Sequence, residues 1–520
     1  MTDENNAISF PHFEIGISAK PTDLLARFFK HSKESRAATR DAKKILNVFP
    51  TDYSTLEFPC SDEIFDWIRE ICRSPHRRPG TSEDRDAELW IAERFSQLGL
   101  ENVTMDPINV KVWTASKWKL NVEGREIPSF FLVNAGFTGP HGIRAPMVYV
   151  GRGGPRDFKK VDASGKIVVA DVAFPFLPLG FLAGFLKLLH ETYHVSNPDG
   201  SLGTFKRQYL NFVRPNFIGG STIEDSREDD VYWNAYKAGA KGICLILKNQ
   251  PSNSNSHYGP YDGIMKPMPG LWIGKYDGMV LREKAKRNVE ATLVLDGTIT
   301  DGLMHNVWGV LPGRTSETII VTSHHDAPFK GAVEDGSGVA QVLAQAKIWT
   351  RVPREQRERT IVFVIDGGHF YGSLGAYQFT QDHADITRNT KLLLTLEHLG
   401  AKEVRERDRA YAETGNLAYT CIFTSPDPMV IATVRNALAM KPPRATISIG
   451  SNLLGNVPIS DAAGYALGTP GIPVISWIGC PYYLLDEHDT LDKVDKDVMK
   501  SICETVSEFI KPYMVNFPVK

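Results

Sequence analysis

Residues 317–366 read "ETIIVTSHHDAPFKGAVEDGSGVAQVLAQAKIWTRVPREQRERTIVFVID". The segment opens with a β-branched run ending near Ser323 and crosses a glycine-rich stretch. It continues as "GVAQVLAQAKIW", a buried helix, and returns to a second β-branched run. The alternation goes on through "SLGAYQFTQ" (373–381) and "KLLLTLEHLG" (391–400). Strand and helix in alternation argue for an α/β fold, a mixed and mostly parallel sheet with helices on both faces. In such sheets, function collects at the carboxyl ends of the strands.

Around this segment the chain is long enough, at 520 residues, for more than one domain. Upstream, Ile64, Phe65, Ile68 and Ile71 recur at helical spacing with Ser61 as the expected N-cap. After a loop carrying Pro79-Gly80-Thr81, a second amphipathic helix runs to "LGL", with Gly99 as its C′ residue. Residues 1–55 read as an N-terminal arm with a basic helical stretch, "KESRAATRDAKKIL". Between 126 and 290 the texture becomes short β-branched runs separated by glycines: "APMVYVG", "GKIVVADV", "GAKGICLIL" and "PGLWIG". That pattern suggests a small β-rich domain inserted into a main one made of 56–125 and 291–520. The hydrophobic excursion Phe174–Leu189 inside it is broken by prolines, glycines and Lys187 and is too short to span a bilayer.

Composition narrows the function classes. Lys+Arg 59 against Asp+Glu 61 leaves a net charge of −2, which supplies no electrostatic footprint for nucleic acid. Six scattered cysteines form no CxxC pair and read as reduced thiols. The acidic, polar N-terminus lacks the pattern of a signal peptide, so a cytoplasmic protein without stable membrane insertion is expected.

Metal-ligand residues gather at the strand ends. His324 and Asp326 in "SHHDAPF" share one side of their strand while His325 points away. Glu334 and Asp335 precede a helix in "GAVEDGSG". Asp366 and His369 follow a buried strand in "VIDGGHF", Glu397 and His398 end another, and His488 lies in the late loop "LLDEHDTLD". Singly, each stretch reads as a turn or an acidic helix N-terminus. In succession they offer His, Glu, His, Glu and His, which points to a metal centre.

This order, with "HRRPGTSEDRDAELWIAERFSQLGL", the Gly331-Ala332 to Ser337-Gly338 turn, the "GIPVI" strand and the closing "HDTLD", resembles the co-catalytic zinc aminopeptidase family. Its members include bacterial leucyl aminopeptidases, glutamate carboxypeptidase II, the transferrin receptor and glutaminyl cyclases. The stretches "APMVYVGRGGPRDFKKVDASGKIVVADV" and "YWNAYKAGAKGICLIL" resemble a protease-associated domain. The resemblance implies two divalent ions, zinc first, with manganese, iron or cobalt as alternatives. It implies His324 as a ligand buttressed by Asp326, Glu334 as the bridging carboxylate, and His369, Glu397 and His488 as further ligands. Where the family has Glu-Glu, this chain has Gly368-His369, which keeps a ligand and removes the general base. Asp366, Asp335, His398 or Glu487 would have to take its place, unless water activated by the metal needs no dedicated base.

The expected activity is metal-dependent hydrolysis of a peptide or small-molecule amide. A catalytically inactive binding scaffold and a non-hydrolytic iron or manganese enzyme remain as alternatives. The insert and the arm also offer surfaces for self-association.

Overall fold

The computed structural model describes residues 56–173, 230–260, 262–450 and 460–515, with short pieces between 34 and 49 and between 177 and 210. Most of the Phe174–Leu189 excursion and most of the N-terminal arm lie outside the described residues. No described helix is long and apolar enough to cross a membrane.

Helix α1 (Ser61–Ile71) buries Ile64, Ile68 and Ile71. It is preceded by Cys60 as N-cap, so Ser61 is the first helical residue and not the cap. Helix α2 (Ser82–Gln97) is capped by Thr81, whose hydroxyl accepts from Asp84 N, and Gly99 follows it at φ +86°. The chain then enters β1 (Glu101–Val122), which pairs antiparallel with β6 (Glu290–Leu311) along nearly its whole length. This ribbon carries the chain out to residues 123–289 and back.

Within that excursion β2 (Ile143–Tyr149), β3 (Ile167–Val172), β4 (Gly242–Leu247) and β5 (Gly270–Ile273) are parallel neighbours in the order β2-β3-β4-β5. Their apolar residues form a hydrophobic cluster of their own, around Met147, Val168, Ile243 and Trp272. Yet β2 hydrogen-bonds to β6, so these strands join one 15-stranded sheet with the main strands. Through this pairing the short β-branched runs of 126–290 continue the main sheet.

Beyond the ribbon the alternation read from the sequence is present. β7 (Thr315–His324) lies between β8 (Arg359–Asp366) and β9 (Thr390–Glu397), parallel to both, and β9 pairs in parallel with β12 (Val474–Gly479). Two further strands, β10 (Thr420–Thr424) and β11 (Thr446–Gly450), continue this side, and His194–Ser196 pairs with β11 at the edge. Helix α3 (Ser337–Thr350), between β7 and β8, is buried except at Lys347 and Thr350 near its C-terminal end. Its two interior glutamines tie it to the C-terminal helix: Gln341 donates to Met499 O and Gln345 to Cys503 O, each at 3.0 Å. Gly338 is required here, because a Cβ would overlap Leu396 O, Asp335 Oδ2 and Ser323 Oγ. The start of α3 is thereby pressed onto the carboxyl ends of β7 and β9.

Candidate metal centre

Parallel register sets the site. His324 pairs with Asp366 across β7 and β8, and Glu397 ends β9 one strand away. The loop 331–336 brings Glu334 over these ends, and the turn after β8 returns His369 toward them. Every one of these side chains is buried. Two triads have ligand atoms within 4.8 Å of one another: His324, His369 and Glu397, and His324, Glu334 and His398.

The three imidazoles are oriented alike. His324 Nδ1 contacts Asp326 O at 3.1 Å, His398 Nδ1 contacts Gly479 O at 2.9 Å, and His369 Nδ1 contacts Asp461 Oδ1 at 3.0 Å. Each contact takes the Nδ1 proton and turns Nε2 toward Glu334. The Nε2 to Glu334 distances are 3.7 Å from His324, 3.8 Å from His369 and 2.9 Å from His398. The His324 and His369 rings stack, centroids 4.0 Å apart and 11° from parallel.

The centre is rich in unsatisfied atoms. His324 Nε2, His398 Nε2, both Glu334 oxygens and Glu397 Oε2 are buried without a hydrogen-bond partner. Buried polar atoms are rarely left so, and five converging ones need a cation or its equivalent. Even His398 and Glu334, close as they are, lack hydrogen-bond geometry. Donor atoms that face each other without bonding are arranged as ligands of a shared ion. With Nδ1 held by an outer partner, each imidazole has the tautomer that a metal requires. The residues present therefore fit a divalent transition-metal ion.

Electrostatics agree. Burial lowers the affinity of His324 and His398 for protons, but the surrounding carboxylates outweigh it and hold both well above the ordinary imidazole range. Burial pushes Glu334 up, and the three histidines reverse this to leave it below its ordinary value. Glu397 is pushed up to about 7, by burial first and then by Asp461. A bound cation would displace the histidine protons.

The sequence candidates divide. His324, Glu334, His369 and Glu397 are brought together. Asp326 is a positioning residue: its carboxylate accepts from His369 N at 3.1 Å and Phe370 N at 3.0 Å, which fixes the turn carrying His369. Asp366 is bound by Thr322 Oγ1 at 2.6 Å and Tyr465 OH at 3.0 Å, and burial pushes it up to about 8. Asp335 accepts from Ser323 Oγ, Gly338 N and His398 N. Glu487 is exposed. His488 is in neither triad; its side chain is 45% exposed and its Nδ1 contacts Asp486 Oδ1 at 2.6 Å. The late loop reaches the centre instead through Asp489, which accepts from Val333 N at 2.9 Å and Glu334 N at 2.8 Å.

Sequence reasoning missed three contributors. His398, considered only as a base, belongs to the ligand cluster. Asp461 orients two ligands at once, through His369 Nδ1 and through its own N–H on Glu397 Oε1 at 3.1 Å. Arg77, from "HRRPGT", is wholly buried and donates to the carbonyls of Ile71, Ser74, His325, Lys330 and Gly331. It ties α1 to the loop that carries Glu334. The "RRPG" segment was the available signal, since a buried arginine needs several acceptors.

Comparison with known proteins agrees with this geometry. Residues 306–510 match the model of Peptidase family M28. Aminopeptidase YwaD of Bacillus subtilis (strain 168) is 30% identical over 170 residues, 30% of this chain and 34% of the relative. The match thus spans about a third of that relative's length. A zinc aminopeptidase from Bacillus subtilis, BSAP, superimposes with a TM-score of 0.61 at 20% identity, over 87% of this chain and 95% of its own. A Peptidase M28 precursor from Shewanella amazonensis SB2B gives 0.63 at 18% identity, over 94% and 99%. At these identities the likeness is one of fold.

Proposed function

We propose that this chain is a metal-dependent hydrolase of a C–N bond, acting on a peptide or a small amide. The observation that carries the reading is the convergence of buried, unpartnered ligand atoms from His324, Glu334, Glu397 and His398 at the carboxyl edge of an α/β sheet. The M28 match over residues 306–510 and the aminopeptidase relatives support it. His324, Glu334, His369, Glu397 and His398 would hold the ion, zinc by analogy with the zinc aminopeptidase it superimposes on. A divalent cation in such a site polarises a carbonyl and lowers the pKa of water.

The chain's own residues do the rest. Asp326, Asp461 and Asp489 hold the ligand-bearing turns through backbone N–H groups and His369. Phe370, edge-on to His324 and His369, begins an aromatic wall on one side of the centre. Phe370 packs edge-on against Tyr258 of the 126–290 region at 5.2 Å, and Arg78 stacks over Phe131 at 5.3 Å and Tyr258 at 5.0 Å. We take 126–290 as a protease-associated-like insert that narrows access to the site.

Specialisation towards one amide is favoured over general peptide cleavage, because Gly368 stands where the resembling family carries its general base. None of Asp335, Asp366 and Glu487 offers a replacement: the first two are bound by neighbours and the third is exposed. Hydrolysis of this kind needs a Lewis acid and an activated water, whether one ion supplies them or two.

The test is a panel of aminoacyl anilides, dipeptides and N-acyl amides offered to the zinc-, manganese- and cobalt-loaded protein. Cleavage that chelation abolishes and metal restores is expected. Full metal loading with no cleavage of any substrate would favour the binding-scaffold alternative.

A further inference from the structure

We propose that Arg78 is a specificity-determining residue that receives a carboxylate of the substrate, so that the substrate is an anionic amide or short peptide. The inference rests on the proposed hydrolase reading and adds a substrate class to it.

The two arginines of "HRRPGT" are used in opposite ways. Arg77 is wholly buried and gives its donors to five backbone carbonyls. Arg78 has the same donors and one good acceptor: Nη2 donates to Pro328 O at 3.2 Å. Nη2 also lies 3.4 Å from His76 Nδ1, but that nitrogen already contacts the same carbonyl at 2.9 Å. Arg78 Nε is buried with no partner. Among the described residues Arg78 forms no ion pair. The acids on the same segment are committed elsewhere. Asp84 is held by His325 and Gly80 N, Glu88 by His305 and Arg85, and Glu83 by Ser82 Oγ. A guanidinium cannot shed its charge, and a charge taken out of water normally has a partner. The donors left over fit an anion that comes from outside the chain.

The guanidinium is also held in place. It lies over the rings of Phe131, at 5.3 Å, and Tyr258, at 5.0 Å. Those rings are braced in turn, Phe131 against Phe130 at 4.0 Å and against Tyr258 at 6.3 Å. Contact through the ring faces leaves the edge of the guanidinium, where its N–H groups lie, free to bond. An arginine fixed in this way loses little freedom when it takes up a carboxylate.

Its position relates it to the centre. Pro328, whose carbonyl holds Arg78, lies in the loop that runs from His324 to Glu334. Tyr258 packs on Phe370 at 5.2 Å, and Phe370 packs on His369 at 5.3 Å. These contacts place Arg78 no farther from His369 than about four extended residues, at roughly 3.5 Å each. A peptide or acylated amino acid with its amide at the centre carries a carboxylate within that reach, at its C-terminus or on an acidic side chain. Phe131 and Tyr258 belong to the 126–290 region, so that region shares in choosing the substrate.

The experiment is calorimetric titration of the full, zinc-loaded chain with three probes. They are acetyl-Ala-Ala, with a free C-terminal carboxylate; acetyl-Ala-Asp-amide, with a side-chain carboxylate only; and the neutral acetyl-Ala-Ala-amide. At least one carboxylate probe should bind about tenfold tighter than the neutral one, the effect of a hydrogen bond to a charged group. Which probe does so identifies the source of the carboxylate. In Arg78→Gln, with its metal content checked by elemental analysis, the ratio should fall to near one. No binding of any probe, no preference in wild type, or a preference that survives Arg78→Gln because the carboxylate goes to the ion would each overturn the inference. Should Arg78→Gln fail to fold, Arg78→Lys keeps the charge without the planar fork and should lower the ratio severalfold. An undiminished ratio there would equally overturn it. Where a probe is cleaved, the ratio of kcat/KM takes the place of the affinity ratio. An Arg78-dependent preference with no cleavage of any probe would refute the hydrolase reading alone. Cleavage without preference for a carboxylate would refute this inference alone.

Discussion

Adjacent residues His324 and His325 enter two clusters of the same residue types that do opposite work. His324 meets Glu334, Glu397, His369 and His398, and the ligand atoms there include five that are buried and unpartnered. His325 meets Asp84 and Glu88, a group that could also hold a metal by distance alone. In that second cluster the bonds are already made. His325 Nδ1 contacts Asp84 Oδ1 at 2.8 Å and Nε2 contacts His305 O at 2.9 Å. Asp84 also accepts from Gly80 N, and Glu88 from His305 N and Arg85. With both ring nitrogens engaged, His325 has no lone pair to give. Proximity of His and carboxylate therefore does not distinguish a metal centre from a structural ion pair; unsatisfied, co-directed lone pairs do.

The largest expected difference between the clusters is a crossed pair of losses. His325→Ala strands the buried Asp84 charge and should lower unfolding free energy by about 3–5 kcal/mol with metal content intact. His324→Ala should abolish metal binding while the metal-free protein melts near wild type. Denaturation and elemental analysis of both variants read this out, and one variant losing both properties would break the distinction.

pH should drive the two clusters in opposite directions. Burial lowers the His325 pKa, but Asp84 outweighs it and the result is about 9, above the ordinary value of 6.5. Burial pushes Asp84 itself up to about 6, so the pair's contribution to stability is present above that and is lost as pH rises through 9. Metal binding requires deprotonated His324 and His398, whose raised pKa values make protons compete, so metal affinity should rise over the same range. Melting curves of the metal-free protein and metal titrations, both across pH 6–9, test the two signs.

A smaller effect sharpens the picture of the centre. Asp489→Asn weakens the hold on Val333 N and Glu334 N, and should reduce metal affinity by about 10–100-fold without removing a ligand. Gly368→Glu, which writes back the family's carboxylate, should be mildly destabilising, by about 1–3 kcal/mol, and should not raise hydrolysis. Gly368 has φ +75°, and a Cβ there would overlap the Met304 methyl and approach Leu374. A side chain at 368 thus starts into an apolar cluster. A gain of peptidase activity in this variant would contradict that account.

Much of the centre was legible because β-branched runs mark strand ends, and strand ends of an α/β sheet converge. His324, Glu334, His369 and Glu397 were found in that way. His398 was considered only as a base, since Glu397 beside it already filled the ligand position that the resemblance implies. Its left-handed backbone cancels the alternation and puts it beside Glu334. His488 was misjudged because a loop has no periodicity to say which side chain faces in; there the backbone presents Asp489 and leaves His488 to Asp486. Asp461 precedes a short helix and carries no pattern. Its role exists only once β8 and β9 stand side by side with β7. The 22-residue ribbon of β1 and β6 also escaped, since its pairing joins residues nearly 200 apart.

The most direct measurement is anomalous diffraction from a crystal of the zinc- or cobalt-loaded protein, recorded at the metal's absorption edge. Anomalous density among His324, Glu334, His369, Glu397 and His398 is expected. A peak beside His488, or between Asp84 and His325, or none at all, would contradict the account.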